Sequence, residues 1–171
     1  MAASLQSKPR LTYGSDDGAG SDLVSGPLPA RDSRDVDCDD FEVRVGTDVQ
    51  SIAEVAQSIA HFGDRYVRRL YTEHEVECCG GARVESAPGL AARFAAKEAM
   101  IKLLRVKDND PGWKSIEVRR RPGGWCEISL GESARRLADE AGVTHLSMSM
   151  SHGAGVATAT VVGLCQAGAG A

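Results

Sequence analysis

The stretch from Pro88 or Gly89 to Arg105 constrains the fold more than any other. Leu90, Phe94, Ile101 and Leu104 recur along it on one face at helical spacing, and Pro111-Gly112 breaks the pattern off. At about 100° per residue, Lys97 falls inside the apolar stripe, between Leu104 and Leu90. Glu98 falls on its edge with Lys102 one turn on, beside Ala91 and Ala95, whose small side chains let another group approach closely. Charges on a buried border need partners, so this helix requires something to pack on and something to pair with.

The rest of the sequence supplies candidates. Phe41-Glu42-Val43-Arg44-Val45 alternates apolar and polar residues as a half-buried strand does, and Gly46-Thr47-Asp48 is expected to end it. Ser51 can cap a helix through about His61, and a short basic helix follows Gly63. Thr72-Glu73-His74-Glu75 has the spacing of a capping box, for a helix that stops by Gly80-Gly81. Lys114 to Arg120 and Trp125 to Leu130 read as strands joined across Arg121-Pro122-Gly123-Gly124. A helix over Glu132 to Ala141 follows, then His145 to Ser151 and Val156 to Val162 as a hairpin closing on His152-Gly153-Ala154-Gly155. The mixture lacks a regular βαβ rhythm. The expected fold is therefore α+β, with an antiparallel sheet packed on the long helix.

Residues 1–40 are rich in Ser, Asp, Gly and Pro with scattered single hydrophobes, and are expected to form a flexible leader. The domain is expected over residues 41–164, with 165–171 as a flexible tail. The net charge of -4 sits in the leader, which holds eight acids against four basic residues; the other 131 residues carry 16 of each sign. A neutral domain gives no electrostatic case for nucleic acid. No apolar run approaches the roughly 20 residues of a membrane span, and the N-terminus lacks a secretory layout. Five cysteines, Cys38, Cys78, Cys79, Cys126 and Cys165, are an odd count with two adjacent, which reads as reduced thiols in a cytoplasm. His74, Cys78 and Cys79 lack a fourth ligand and a zinc spacing.

Taken alone, the charged residues have ordinary explanations. Glu98 and Lys102 suit a surface pair at i, i+4, Lys97 suits a stem snorkelling to water, and Asp48 suits a helix cap. Five blocks in order say more: Val45-Gly46-Thr47-Asp48-Val49, Tyr71-Thr72-Glu73-His74-Glu75, Arg93-Phe94-Ala95-Ala96-Lys97-Glu98-Ala99 with Lys102, Ile116-Glu117-Val118, and Ser149-Met150-Ser151-His152. Together they resemble the holo-acyl-carrier-protein synthase type of 4'-phosphopantetheinyl transferase, over roughly residues 41–162.

The resemblance implies transfer of 4'-phosphopantetheine from coenzyme A to a serine of an apo acyl or peptidyl carrier protein, in a homotrimer with clefts between neighbours. By position it makes Asp48 and Glu98 the magnesium ligands and Lys102 the catalytic cation, with Arg93, Lys97, Lys102 and His152 binding the nucleotide. One aspartate and one glutamate from separate elements suit magnesium, which takes a few carboxylates plus water and substrate phosphate. The chain departs from the family in its leader, in Thr47, in Gly123-Gly124-Trp125 where a glycine-lysine-proline turn is usual, and in Glu54, where an arginine usually faces the carrier. A non-catalytic relative that binds coenzyme A or a carrier is the alternative, against which Asp48, Glu98 and Lys102 argue.

Overall fold

The computed structural model describes residues 40–106 and 111–168. Its elements run β1 (Phe41–Ser51), α1 (Ile52–Phe62), α2 (Asp64–Leu70), α3 (Glu73–Cys78), α4 (Ala87–Leu104), β2 (Ile116–Arg120), β3 (Cys126–Leu130), α5 (Glu132–Glu140), β4 (Val143–Gly153) and β5 (Val156–Gln166). The main sheet is antiparallel in the order β1-β5-β4, and β2 and β3 form a separate hairpin. The expected α+β architecture is what forms. None of the described helices is long and apolar enough to cross a membrane.

Alternation decides which side of the sheet is buried. Arg44 and Gly46 on β1, and Ala157, Ala159, Val161, Gly163 and Cys165 on β5, face inward onto α4. The other face of the sheet carries Val43, Val45, Thr47 and Val49 opposite Leu164, Val162, Thr160 and Thr158. Val43, Val45 and Val49 are 64%, 59% and 62% exposed, which leaves an apolar face uncovered in a single copy.

Helix α4 is buried on every side rather than along one stripe. Ala91, Ala92, Ala95, Ala96 and Ala99 are all at most 1% exposed, so small side chains, not only the large ones, carry its burial. They also admit close neighbours. At Gly46 the β1 backbone lies so near α4 that an added Cβ would sit 1.9 Å from the Ala99 carbonyl oxygen and 2.9 Å from the Leu103 nitrogen. Glycine is required there by contact, not by conformation.

Local signals placed the short helices. The Ser51 hydroxyl accepts from the Glu54 amide at 3.2 Å, and Thr72 and Glu75 form the expected capping box at α3. Four expectations are corrected. Strand β1 does not end at Gly46-Thr47-Asp48 but runs to Ser51, since β5 pairs with it throughout. Residues 113–115 make a 3-10 turn before β2 begins at Ile116. Cys165 and Gln166 are not tail: they end β5, Cys165 is fully buried, and the Ala167 amide donates to the Asp40 carbonyl. Lys97 does not snorkel outward, being fully buried. Residues 1–39 of the expected leader, and 169–171, lie outside the described residues.

Candidate active site

The close approach at Gly46 sets the geometry of the first cluster. Asp48 lies two residues further along the same face of β1, while Glu98 and Lys102 lie on α4, on either side of the contact at Ala99. Lys102 Nζ donates to Asp48 Oδ1 at 2.8 Å and to the Thr47 carbonyl at 3.0 Å, and Gln50 Nε2 donates to Asp48 Oδ2 at 2.7 Å. The Asp48 carboxylate is thus fixed from both sides. Its hydrogen bond holds the Lys102 ammonium above the usual lysine value, and the charges of Asp48 and Glu98 act in the same direction. A lysine bonded to one carboxylate and within the field of a second gives the cluster a net charge near -1.

A cavity of about 750 Å³ lies elsewhere, around the first turns of α4, the β2–β3 hairpin and the edge of β4. Arg93, Arg120 and His152 bring basic groups to it, and Trp125, 57% exposed, stands at its wall. Arg93 is 5% exposed and donates through Nη1 to the Gly89 carbonyl at 3.1 Å, yet its Nε is buried with no partner. An unmet buried guanidinium donor is costly unless a ligand meets it. Arginines with an aromatic ring suit a phosphorylated, ring-bearing ligand.

The cluster and the cavity lie on opposite flanks of α4. Glu98 and Arg93 are five residues apart, about 140° round the helix. Across the sheet, Asp48 and Met150 both pair with Ala159, but from β1 and β4, the two outer strands; Met150 lines the cavity. Asp48, Glu98 and Lys102 come together, Arg93 and His152 come together, and a single copy separates the two groups.

Lys97, expected beside the nucleotide, joins neither. Its Nζ pairs with Glu75 Oε2 at 2.9 Å and donates to the Trp113 carbonyl at 2.8 Å and to the Ile116 carbonyl, which uses all three of its hydrogens. Both partners of the pair are fully buried. Burial pulls the ammonium below the usual lysine value, against the opposing charge of Glu75. Glu75 is filled in turn: it accepts from the Val118 amide at 2.9 Å and the Thr72 amide at 2.9 Å. The pair ties α3, α4 and β2 together and acts on the site by holding its walls.

Sequence reasoning missed Arg120 as a cavity residue and marked Trp125 only as part of a turn that departs from the family; the β2–β3 pairing brings both to the cavity. On β4, Ser147, Ser149 and Ser151 are exposed, while Met148 and Met150 pack inward. Glu54 is exposed on α1, and Arg65, Arg68 and Arg69 are exposed on α2. Among the described residues no three of His, Cys, Asp and Glu group as metal ligands.

Comparison with known proteins agrees with the geometry. A family model described as the 4'-phosphopantetheinyl transferase superfamily matches residues 44–161. The holo-acyl-carrier-protein synthase of Dehalococcoides mccartyi is 38% identical over 117 residues, 68% of this chain and 94% of that protein. That of Herpetosiphon aurantiacus is 37% identical over 126 residues, 70% and 96% of the two chains. Among solved structures, the Helicobacter pylori holo-acyl-carrier-protein synthase in complex with coenzyme A superposes with a TM-score of 0.61 at 28% identity, covering 70% of this chain and 98% of that one. The Chronobacterium ammoniagenes coenzyme A complex gives 0.62 at 27% identity, covering 73% and 98%. A strand-borne aspartate fixed to a helix-borne lysine, an arginine-lined cavity behind that helix, and this agreement along nearly the whole length of its relatives place the chain in the 4'-phosphopantetheinyl transferase superfamily.

Proposed function

We propose that this enzyme transfers 4'-phosphopantetheine from coenzyme A to a serine of an apo acyl carrier protein or carrier domain, releasing 3',5'-ADP, in the cytoplasm. The observation that carries the reading is Lys102 bonded to Asp48 and within the field of Glu98, where β1 crosses α4. The carrier serine oxygen attacks the pantetheine-side phosphorus as the bond to the bridging oxygen of 3',5'-ADP breaks. Such a reaction asks the protein mainly for positioning and for opposite charge near the phosphate oxygens. Lys102 uses two of its three hydrogens on Asp48 and Thr47 and has a third for a phosphate oxygen. Gln50 keeps the Asp48 carboxylate in place.

The donor set also fits magnesium. Two carboxylates from separate elements supply hard oxygens and leave positions for water and substrate phosphate, so Asp48 and Glu98 would hold the ion. When bound, it supplies further neutralisation of pyrophosphate charge. In the cavity, Arg93 and Arg120 meet phosphate charge, His152 contributes a polar edge, and Trp125 offers a ring face.

The separation of the two groups across α4, and the uncovered valine face of β1, support a homotrimer in which one copy's cavity adjoins another's acid pair. Glu54 beside the α2 arginines gives the carrier-facing surface mixed charge, which favours a carrier less acidic than the strongly acidic kind. The test is incubation with coenzyme A, magnesium and a panel of apo carriers, read by intact mass. One carrier should gain the arm, and Asp48→Ala and Glu98→Ala should each lose most of the activity while melting as cooperatively as the parent. Full activity in excess chelator would refute the metal, and a panel left wholly unmodified would refute the transfer.

A further inference from the structure

Four free cysteines lie among the described residues, and the structure gives them different chemistry. Cys165 is sealed in β5 at 0% exposure. Cys79 is wedged under α4, where a Cβ on Gly89 would lie 3.0 Å from its sulfur. Burial pushes the Cys79 thiol up to about 11, with Arg93 pulling weakly the other way, so near neutral pH it is protonated and inert. Cys126, on β3, lines the cavity but has no hydrogen-bonded base among the described residues.

Cys78 differs from all three. It is half-exposed, it lines the cavity, and its sulfur lies 3.6 Å from His74 Nε2, one turn back on α3. With a proton on Nδ1, the ring can accept the thiol hydrogen, the arrangement that activates cysteine nucleophiles. The cavity that Cys78 faces is also lined by Arg120 and by Arg93, an arginine only 5% exposed whose Nε has no partner, and their guanidinium groups suit an anionic visitor.

We propose that Cys78 is a modification site, a His74-assisted thiol that exchanges with anionic low-molecular-weight disulfides and, once capped, blocks the cavity. The Cys78 sulfur attacks one sulfur of the disulfide. A protein–sulfur–sulfur bond forms as the small molecule's bond breaks, and the departing thiolate leaves with the electron pair. The Cys78 proton passes through His74 Nε2 to that thiolate, which is released as a thiol. A glutathionyl cap is anionic and bulky enough to obstruct entry to a cavity of about 750 Å³, and its carboxylates are complementary to Arg93 and Arg120. Reduction by an excess of thiol reverses the step.

The loss of ligand binding rests on the cavity being the nucleotide site, whereas the assignment of the thiol does not. The experiment therefore has two readouts. In a Cys38→Ser background of the full chain, glutathione disulfide and, separately, limiting N-ethylmaleimide are mapped by peptide mass. Cys78 should be labelled about tenfold faster than Cys79 or Cys126, and His74→Gln should slow Cys78 several-fold while leaving the others unchanged. Prior labelling of Cys79 or Cys126, or no effect of His74→Gln, overturns the assignment. The second readout is calorimetric binding of 3',5'-ADP. Glutathionylated protein should lose it and regain it with dithiothreitol, and Cys78→Ser protein should bind equally before and after the disulfide. If capped protein binds as well as uncapped, the block is refuted. If untreated protein does not bind 3',5'-ADP at all, the assignment of the cavity fails, and the labelling pattern still decides the thiol.

Discussion

Replacing Gly46 by alanine puts a methyl group where the backbone of α4 already is. An unrelaxed Cβ would stand 1.9 Å from the Ala99 oxygen and 2.9 Å from the Leu103 nitrogen, against the 3.4 Å or more of ordinary contact. No rotamer relieves this, because both neighbours are backbone, so β1 must lift from the helix by roughly 1 Å. Overpacking of this kind costs about 1 to 3 kcal/mol, and a backbone clash belongs at the upper end. For a domain of this size that is a fall in Tm of roughly 5 to 15 °C. The lift also carries Asp48 away from Lys102 and Glu98, and a displacement near 1 Å can cost about a hundredfold in rate. Gly163→Ala is the control: its Cβ would meet the Leu103 δ-methyls at 3.1 Å, and a flexible side-chain end can yield. Melting by circular dichroism and kcat/KM for carrier modification, both measured below the lower midpoint, separate the two effects. If Gly46→Ala melts within about 2 °C of the parent and turns over normally, the inferred contact between β1 and α4 is wrong.

Lys97→Met strands the Glu75 carboxylate among buried groups and should cost about 3 to 5 kcal/mol, while Lys97→Met with Glu75→Leu should recover part of it; denaturant melts of the single and double variants check this. The Cys79 thiol rises from 9.0 unfolded to about 11 folded, so its contribution is complete below pH 9 and is lost as pH climbs through about 11. After discounting for partial exposure this amounts to about 1 kcal/mol, and the fall in Tm over that window should be shallower in Cys79→Ala. Trp125→Ala should raise KM for coenzyme A about three- to tenfold with kcat little changed, which steady-state kinetics at saturating carrier would reveal.

Much of the fold was legible where local rules and tertiary packing coincide. Ser51 and Thr72 cap the helices they were expected to cap, because a side-chain oxygen meets a free amide whatever lies beyond. The hairpin of β4 and β5 showed in alternation, and its turn falls at Ala154 and Gly155, both at positive φ. Gly46 misled because glycine ordinarily reads as a break; the period-2 pattern of Val45, Thr47 and Val49 continued past it. For α4, counting large hydrophobes found one stripe and missed the alanines that bury the other sides. Lys97 was seen to need a partner, and Glu75 was seen as a cap, but their pairing depends on α3 folding back against α4. No local signal carries that fact. The same holds for Arg120 and Trp125, whose cavity is made by elements distant in sequence.

The order β1-β5-β4 has a consequence for how this protein is made. Among the described strands, the middle one is the last to leave the ribosome. Until residues 156–166 emerge, β1 and β4 have no edge to share, and the valines of β1 wait without the strand that sets their register. Helix α4 can form early from local contacts, but Asp48 has no fixed place on it until β5 has emerged. A nascent chain stalled anywhere before β5 therefore carries the sequence of the acid cluster without its geometry. Pairing of β5 between β1 and β4 is the step that gives the cluster its geometry.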